Sequence, residues 1–139
     1  VAAMEVPREM TSSYGILDVE SENGSLAKVK GMVEKPSIDD APSNLAVIGR
    51  YILSPRVFDN LSTQQTGTGG EIQLTDAIAE EVTNGHGVHA LRFEGQRFDC
   101  GSKAGFLQAT VSFALDREDL RDEFSAYLRN VTPVIRAAE

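Results

Sequence analysis

The sequence predicts an α/β fold built on a mixed sheet, because a strand hairpin is followed by alternating helices and strands. Three observations indicate this fold. They are a turn signal at Glu22-Asn23-Gly24, an apolar run of strand length over 44–53, and apolar residues at helical spacing from Leu74 to Val82. The 139 residues, 41% of them hydrophobic, suffice for one domain core. We therefore expect one α/β domain, or a part of one.

The first half of the chain is rich in strand signals. Residues 1–13 show no clear periodicity. Tyr14–Val19 and Leu26–Val33 have the composition of two paired antiparallel strands. The segment Pro36–Ser43, with two prolines and two aspartates, predicts a loop. Asn44–Leu53 is mostly apolar and predicts a central strand buried on both faces.

The second half is mostly helical. Ser54-Pro55 predicts the start of a short helix, and the next helix, Leu74–Val82, is expected to be capped by Thr75 or Asp76. Val88–Phe93 predicts a strand. A further helix is expected after Ser102, and a last helix from Glu118 to Leu128 that stops before Pro133.

Charge and composition exclude several function classes. The net charge of −8 disfavours binding to nucleic acid, whose phosphates it would repel. No apolar run is long enough to cross a bilayer, and no secretion signal is evident, so the chain predicts no membrane contact and a cytoplasmic protein. Cys100 is the single cysteine, which excludes an internal disulfide. It is expected to be a small buried residue.

The strongest chemical candidate is Glu34-Lys35-Pro36, which combines a carboxylate and an ammonium at a predicted strand end. Such an ammonium can neutralise phosphate charge during group transfer. Neighbours on a regular strand point to opposite faces, so both heads reach one pocket only if Pro36 ends regular pairing. The alternative interpretation is a solvated ion pair at a strand end.

Asp99 is the second candidate, because it precedes a helix that opens with Gly101-Ser102. Helix N-termini favour anions, and a carboxylate beside one can hold Mg²⁺ against phosphate oxygens. The alternative is an ordinary aspartate that stabilises the start of a helix.

Three segments together carry a family resemblance: Val33–Pro36, Ser43–Tyr51 and Gly69–Ile78. They resemble the C-terminal half of the bacterial UTP–glucose-1-phosphate uridylyltransferases, which belong to the sugar-phosphate nucleotidyltransferase family. The resemblance implies a Rossmann-like, glycosyltransferase-A-like domain. Residues 1–139 would form its C-terminal, sugar-binding portion, and the family's Gly-rich nucleotide loop, with the N-terminal half, is absent from this sequence.

The resemblance also implies residue roles. Lys35 would be the catalytic contact to the phosphate of glucose 1-phosphate, and Asp99 would be one of two aspartates that bind Mg²⁺. Glu34 would accept hydrogen bonds from sugar hydroxyls. The remaining residues implied at the sugar site are Gly15, Val47, Gly49 and Glu71.

The implied activity is transfer of a uridylyl group from UTP to α-D-glucose 1-phosphate. The implied enzyme is a homo-oligomer, and this fragment alone would be inactive. Two alternatives stay open: a thymidylyl- or cytidylyltransferase acting on a hexose 1-phosphate, and a non-catalytic sugar-phosphate-binding or assembly module. Apolar residues of the last two predicted helices favour assembly. They are Phe106, Leu107, Phe113, Phe124, Tyr127 and Leu128.

Overall fold

A computed structural model describes residues 1–67 and 70–136, with side chains described up to residue 131. Thr68 and Gly69 lie outside the described residues. The chain divides into two compact units, one ending at Glu94 and the other beginning at Gly95. The sequence did not predict this division.

Within its described residues, 1–67 and 70–94, the first unit contains a five-stranded sheet, a 3₁₀ helix and two α-helices. The strands are β1 (Ala2–Glu5), β2 (Gly15–Asn23), β3 (Leu26–Glu34), β4 (Leu45–Val47) and β5 (Val88–Arg92). The helical segments are a 3₁₀ helix (Arg8–Ser13), α1 (Arg56–Thr63) and α2 (Leu74–Thr83).

The strands form one mixed sheet in the order β1-β4-β2-β3-β5. β1 pairs with β5 in parallel, whereas the other neighbouring strands are antiparallel. The predicted mixed sheet is thus confirmed. The parallel pair also closes the sheet on itself, which the sequence did not predict.

The strand bounds differ from the sequence analysis in two places. β1 lies in a segment for which no element was predicted, because its ladder depends on partners distant in sequence: the Ala2 N–H donates to the Arg50 carbonyl at 2.8 Å. β4 is only three residues long, although a strand was expected over 44–53. Gly49 adopts a left-handed φ of +74°, which ends the extended backbone.

The β2–β3 hairpin is confirmed and sets the position of the candidate site. Asn23 pairs with Leu26 at the turn, where Gly24 has a φ of +60°. Positive φ is the conformation that tight hairpin turns require and that glycine adopts at little cost. At the other end of the ladder, Gly15 pairs with Glu34.

The core of this unit draws on every strand and on α2, which contributes the fully buried Ile78. Apolar burial of this kind is the main stabilising term of the fold. The buried residues of the cluster are Ala3, Leu17, Ala27, Val29, Met32, Leu45, Val47, Ile78 and Ala90.

A polar cluster joins α1 to α2. The buried Asn60 amide donates to the Ala77 carbonyl at 3.1 Å and to Glu81 Oε1 at 2.9 Å. Arg56 Nε and His86 Nδ1 each lie 3.3 Å from Glu81 Oε2. Burial opposes ionisation of Glu81, but these hydrogen bonds and positive charges outweigh it and lower the pKa of the carboxyl below its ordinary value.

In residues 95–136, the second unit contains two helices, α3 (Lys103–Asp116) and α4 (Glu118–Arg136). Ser102 caps α3 by accepting a hydrogen bond from the Gly105 N–H at 3.0 Å. The expected stop of α4 before Pro133 was wrong. A proline removes one helical hydrogen bond, and here the helix continues past that loss to Arg136.

The second unit contradicts one expectation about burial. Cys100 is exposed, not buried, because it lies in the turn that precedes α3. Several large apolar side chains of α3 and α4 are also exposed, among them Phe106, Leu107, Phe113 and Tyr127. None of the helices in the described ranges is long and apolar enough to cross a membrane.

Candidate functional site

The Glu34–Lys35 pair lies where β3 ends. Lys35 has a φ of +46° and is the single non-glycine residue with positive φ in the described part of the chain. Its N–H donates to the Tyr14 carbonyl at 2.9 Å. This left-handed residue reverses the usual alternation of side chains, so that Lys35 Nζ lies 3.8 Å from Glu34 Oε1. The two heads therefore share one location.

The two side chains differ in exposure. The Glu34 side chain is 11% exposed and that of Lys35 is 51% exposed. An ion pair at this distance, with one partner in solvent, is weak and does not engage the ammonium fully. Lys35 is consequently available to an anionic ligand, while Glu34 is held in a fixed position.

Gly15 and Thr75 complete the surroundings of Glu34. Thr75 Oγ1 donates to Glu34 Oε2 at 2.9 Å instead of capping α2, so the expected capping role was wrong. Asp76 is not the N-cap residue either, since α2 begins at Leu74 and its N-cap position is Gln73. A Cβ on the buried Gly15 would lie 2.6 Å from Thr75 Cγ2 and 3.1 Å from Glu34 Oε2. Position 15 therefore requires glycine, because there is no room for a larger side chain.

Tyr51 belongs to the electrostatic environment of Glu34, which sequence reasoning missed. Desolvation and then the Glu34 charge raise the pKa of the Tyr51 hydroxyl. Thr75 was missed as well. The only sequence signal for either residue was its membership in a resembling segment, since spacing does not reveal contacts across the fold.

The other predicted sugar-site residues occupy different environments. Val47 is buried in the core at the end of β4. Gly49 follows it in the left-handed conformation, with open space where a Cβ would stand. Glu71 is exposed, and its carbonyl accepts a hydrogen bond from the Gly67 N–H at 2.9 Å. Their contacts to a sugar stay predictions.

Asp99 lies in the second unit, in the turn before α3. It is exposed, and its Oδ1 accepts a hydrogen bond from the Gly101 N–H at 3.1 Å. Within residues 1–67 and 70–136, no group of three or more His, Cys, Asp or Glu side chains could hold a metal ion. Metal binding by Asp99 stays a prediction.

A cavity of about 490 Å³ lies elsewhere in the first unit, beside the α1–α2 cluster. Arg56, Glu81, His86 and His89 are among the residues that line it. None of the predicted site residues lines this cavity, and Glu81 is already hydrogen-bonded to Asn60. We therefore locate the candidate site at Glu34 and Lys35, where charge, backbone conformation and close packing coincide.

Residues 1–115 match the nucleotidyl transferase family. The chain belongs to this family. Among nucleotidyl transferases, it is 44% identical over 131 residues to the UTP–glucose-1-phosphate uridylyltransferases of Staphylococcus epidermidis and Staphylococcus haemolyticus. The match covers 94% of this chain, which spans about 45% of the length of these relatives. The resemblance found in the sequence is confirmed.

Solved structures agree with this assignment. A UDP-glucose pyrophosphorylase complexed with UDP-glucose matches with a TM-score of 0.78 and 44% identity, over 84% of this chain and 44% of that one. The UTP-bound enzyme of Acinetobacter baumannii matches with a TM-score of 0.80 and 40% identity, over 95% of this chain and 45% of that one. The predicted Rossmann-like nucleotidyltransferase fold is thereby confirmed.

Proposed function

We propose that the enzyme containing these residues transfers a uridylyl group from UTP to α-D-glucose 1-phosphate. The observation that supports this most strongly is the left-handed Lys35, which brings an ammonium beside the nearly buried Glu34 carboxylate. The identity to uridylyltransferases supports the choice of substrates. Residues 1–139 would form the C-terminal, sugar-binding portion of the domain, with Gly15, Val47, Gly49 and Glu71 at the sugar site.

The reaction needs positioning and charge neutralisation. An oxygen of the sugar phosphate attacks the α-phosphorus of UTP in line, the bond between the α- and β-phosphates breaks, and pyrophosphate leaves with those electrons. Lys35 counters the negative charge on the sugar phosphate. Glu34 accepts hydrogen bonds from sugar hydroxyls and orients the ring.

A divalent cation, Mg²⁺ in our proposal, would be held in part by Asp99. An exposed carboxylate is a suitable ligand for this hard ion, and substrate phosphates commonly supply further oxygens. When bound, the ion would neutralise phosphate charge. The backbone N–H of Gly101 orients the Asp99 carboxylate through the hydrogen bond to Oδ1.

We further propose a homo-oligomeric, cytoplasmic protein. Exposed apolar side chains such as Phe106 and Phe113 support self-association of the second unit. The free, exposed thiol of Cys100 is compatible with a reducing compartment.

The substrate assignment is tested with Glu34→Gln in the full-length enzyme. Pyrophosphate release is measured with UTP and either glucose or galactose 1-phosphate. Glutamine replaces a carboxylate oxygen with an NH₂ donor, so we expect a change in kcat/KM whose size depends on the hexose. The matched control is Glu20→Gln, which alters an exposed carboxylate paired with Lys28 at 2.7 Å. This control should leave kcat/KM unchanged with either sugar. Equal kinetics for wild type and Glu34→Gln with both sugars would contradict the assignment.

A further inference from the structure

The hydroxyl of Thr75 donates to a residue far away in sequence, which is unusual for a threonine near the start of a helix. It is the second residue of α2, its side chain is buried with 7% exposure, and it lies 41 positions from Glu34 in sequence. A threonine near a helix start commonly bonds to its own backbone. Here the hydroxyl hydrogen is directed to Glu34 Oε2 at 2.9 Å. A hydrogen bond to a charged acceptor is stronger than one between neutral groups.

The methyl group of Thr75 explains why its hydroxyl takes this direction. Cγ2 fills the space beside Gly15, where an added Cβ would approach it to 2.6 Å. Because β-branched side chains are stiff about χ1, a methyl held against Gly15 keeps the hydroxyl turned toward Glu34. The pairing of Gly15 with Glu34 across the hairpin places all three residues together.

We propose that Thr75 is a positioning residue for recognition of the sugar, acting through Glu34. Its hydrogen bond holds Oε2 in place, which fixes the direction of Oε1, on the side of Lys35, and leaves Oε1 to accept from the sugar hydroxyls. This inference rests on the proposed role of Glu34 as the hydroxyl acceptor. A carboxylate held at one oxygen has a fixed direction and can distinguish two hexoses that differ at one hydroxyl, whereas a mobile carboxylate adapts to both.

The test compares Thr75→Val with Thr75→Ser in the full-length enzyme. Valine keeps the shape and the methyl but has no donor, so kcat/KM for glucose 1-phosphate should fall by roughly tenfold or more. The preference for glucose over galactose 1-phosphate should shrink, while the KM for UTP stays unchanged. Serine keeps the donor and should restore most of the preference. Thr83→Val is the matched control, because Thr83 is an exposed residue of the same helix whose hydroxyl donates to the Ala79 carbonyl.

The outcomes separate this inference from the proposed function. A wild-type enzyme without activity on UTP and glucose 1-phosphate would contradict the function itself. An active enzyme in which Glu34→Gln changes the sugar preference and Thr75→Val does not would overturn the positioning role alone. A loss in Thr75→Val that is equal for both sugars and accompanied by a lower Tm would also overturn it, because that pattern indicates a structural role.

A second pair of variants tests the same contact if Thr75→Val fails to fold. Gly15→Ala should impair sugar recognition, because the new Cβ meets Thr75 Cγ2. Thr75→Ser removes that methyl and keeps the hydroxyl, so the double variant should recover part of the sugar preference lost in Gly15→Ala. A double variant no better than Gly15→Ala would overturn the inference.

Discussion

Lys35 combines a strained backbone with a charge close to the Glu34 carboxylate. A left-handed conformation costs a non-glycine residue about 1–2 kcal/mol, and the residue before a proline has few alternatives to an extended backbone. Strain of this kind is concentrated at functional sites. In this chain it has a definite result, since it brings the ammonium to the same side as the Glu34 carboxylate.

Lys35→Ala in the full-length enzyme should lower kcat/KM by about a hundredfold, on the order of 3 kcal/mol, because the charge on the sugar phosphate is left uncompensated. The loss should be similar for glucose and galactose 1-phosphates, since a phosphate contact does not read sugar hydroxyls. Steady-state kinetics with each sugar measure this. Lys30→Ala is the control, because Lys30 is exposed on the same strand and lies 3.4 Å from Asp18. Near-normal kinetics for Lys35→Ala would show that Glu34 and Lys35 are only a solvated ion pair at a strand end.

The residues of the candidate site could be predicted only where a motif included them. Glu34 and Lys35 stand out as a charged pair before a proline, and the structure brings them together as the motif requires. Thr75 and Tyr51 carry no such signal, because their relation to Glu34 depends on how α2 and the segment after β4 meet the end of β3.

At the scale of elements, α1 and α2 are joined by a buried amide that has two acceptors. Asn60→Ala should reduce the free energy of unfolding by about 2 kcal/mol, because the Ala77 carbonyl and Glu81 Oε1 both lose their donor. Urea denaturation followed by circular dichroism measures the difference. Ser62→Ala serves as the control, since its exposed hydroxyl donates within α1 to the Asp59 carbonyl. Equal midpoints for Asn60→Ala and Ser62→Ala would show that the cluster adds nothing to stability.

The turn before α3 is the element that carries the proposed metal ligand. Asp99→Asn should raise the Mg²⁺ concentration needed for activity, by at least the roughly tenfold typical of removing an outer-shell partner of a metal. The fold should change little, because an amide oxygen can still accept from the Gly101 N–H. Activity is measured across a Mg²⁺ titration, with Asp116→Asn at the exposed end of α3 as control. Unchanged titration curves would show that Asp99 binds no metal ion and only stabilises the turn before α3.

Element types followed from the sequence more reliably than element bounds. The hairpin, α1, α2, β5 and α3 were predicted from turn signals and periodicity, which are local properties. β1 was not predicted, and β4 was predicted but too long, because the hydrogen bonds that define their bounds come from strands far away in sequence.

For the whole molecule, the important quantity is the fraction of its relatives' length that this chain covers. The chain spans about 45% of the length of the uridylyltransferases it matches. The isolated 139-residue chain should therefore show no turnover of UTP and glucose 1-phosphate at a typical enzyme rate of roughly 1 s⁻¹ or more. A coupled pyrophosphate assay, with the full-length enzyme as positive control, measures this. Turnover by the chain alone at such a rate would show that it holds a complete active site.

The sequence by itself determined the mixed α/β class, the family and the charged motif at the end of β3, because all three depend on residues that are close together in the chain. The tertiary structure alone decided the rest. It closed the sheet through the β1–β5 pair, and it turned Lys35 back beside Glu34. It also brought Thr75 against Gly15 and Glu34. The β1–β5 pairing and the contacts of Thr75 join segments dozens of positions apart. Packing decides which of these contacts form, and local periodicity does not predict them.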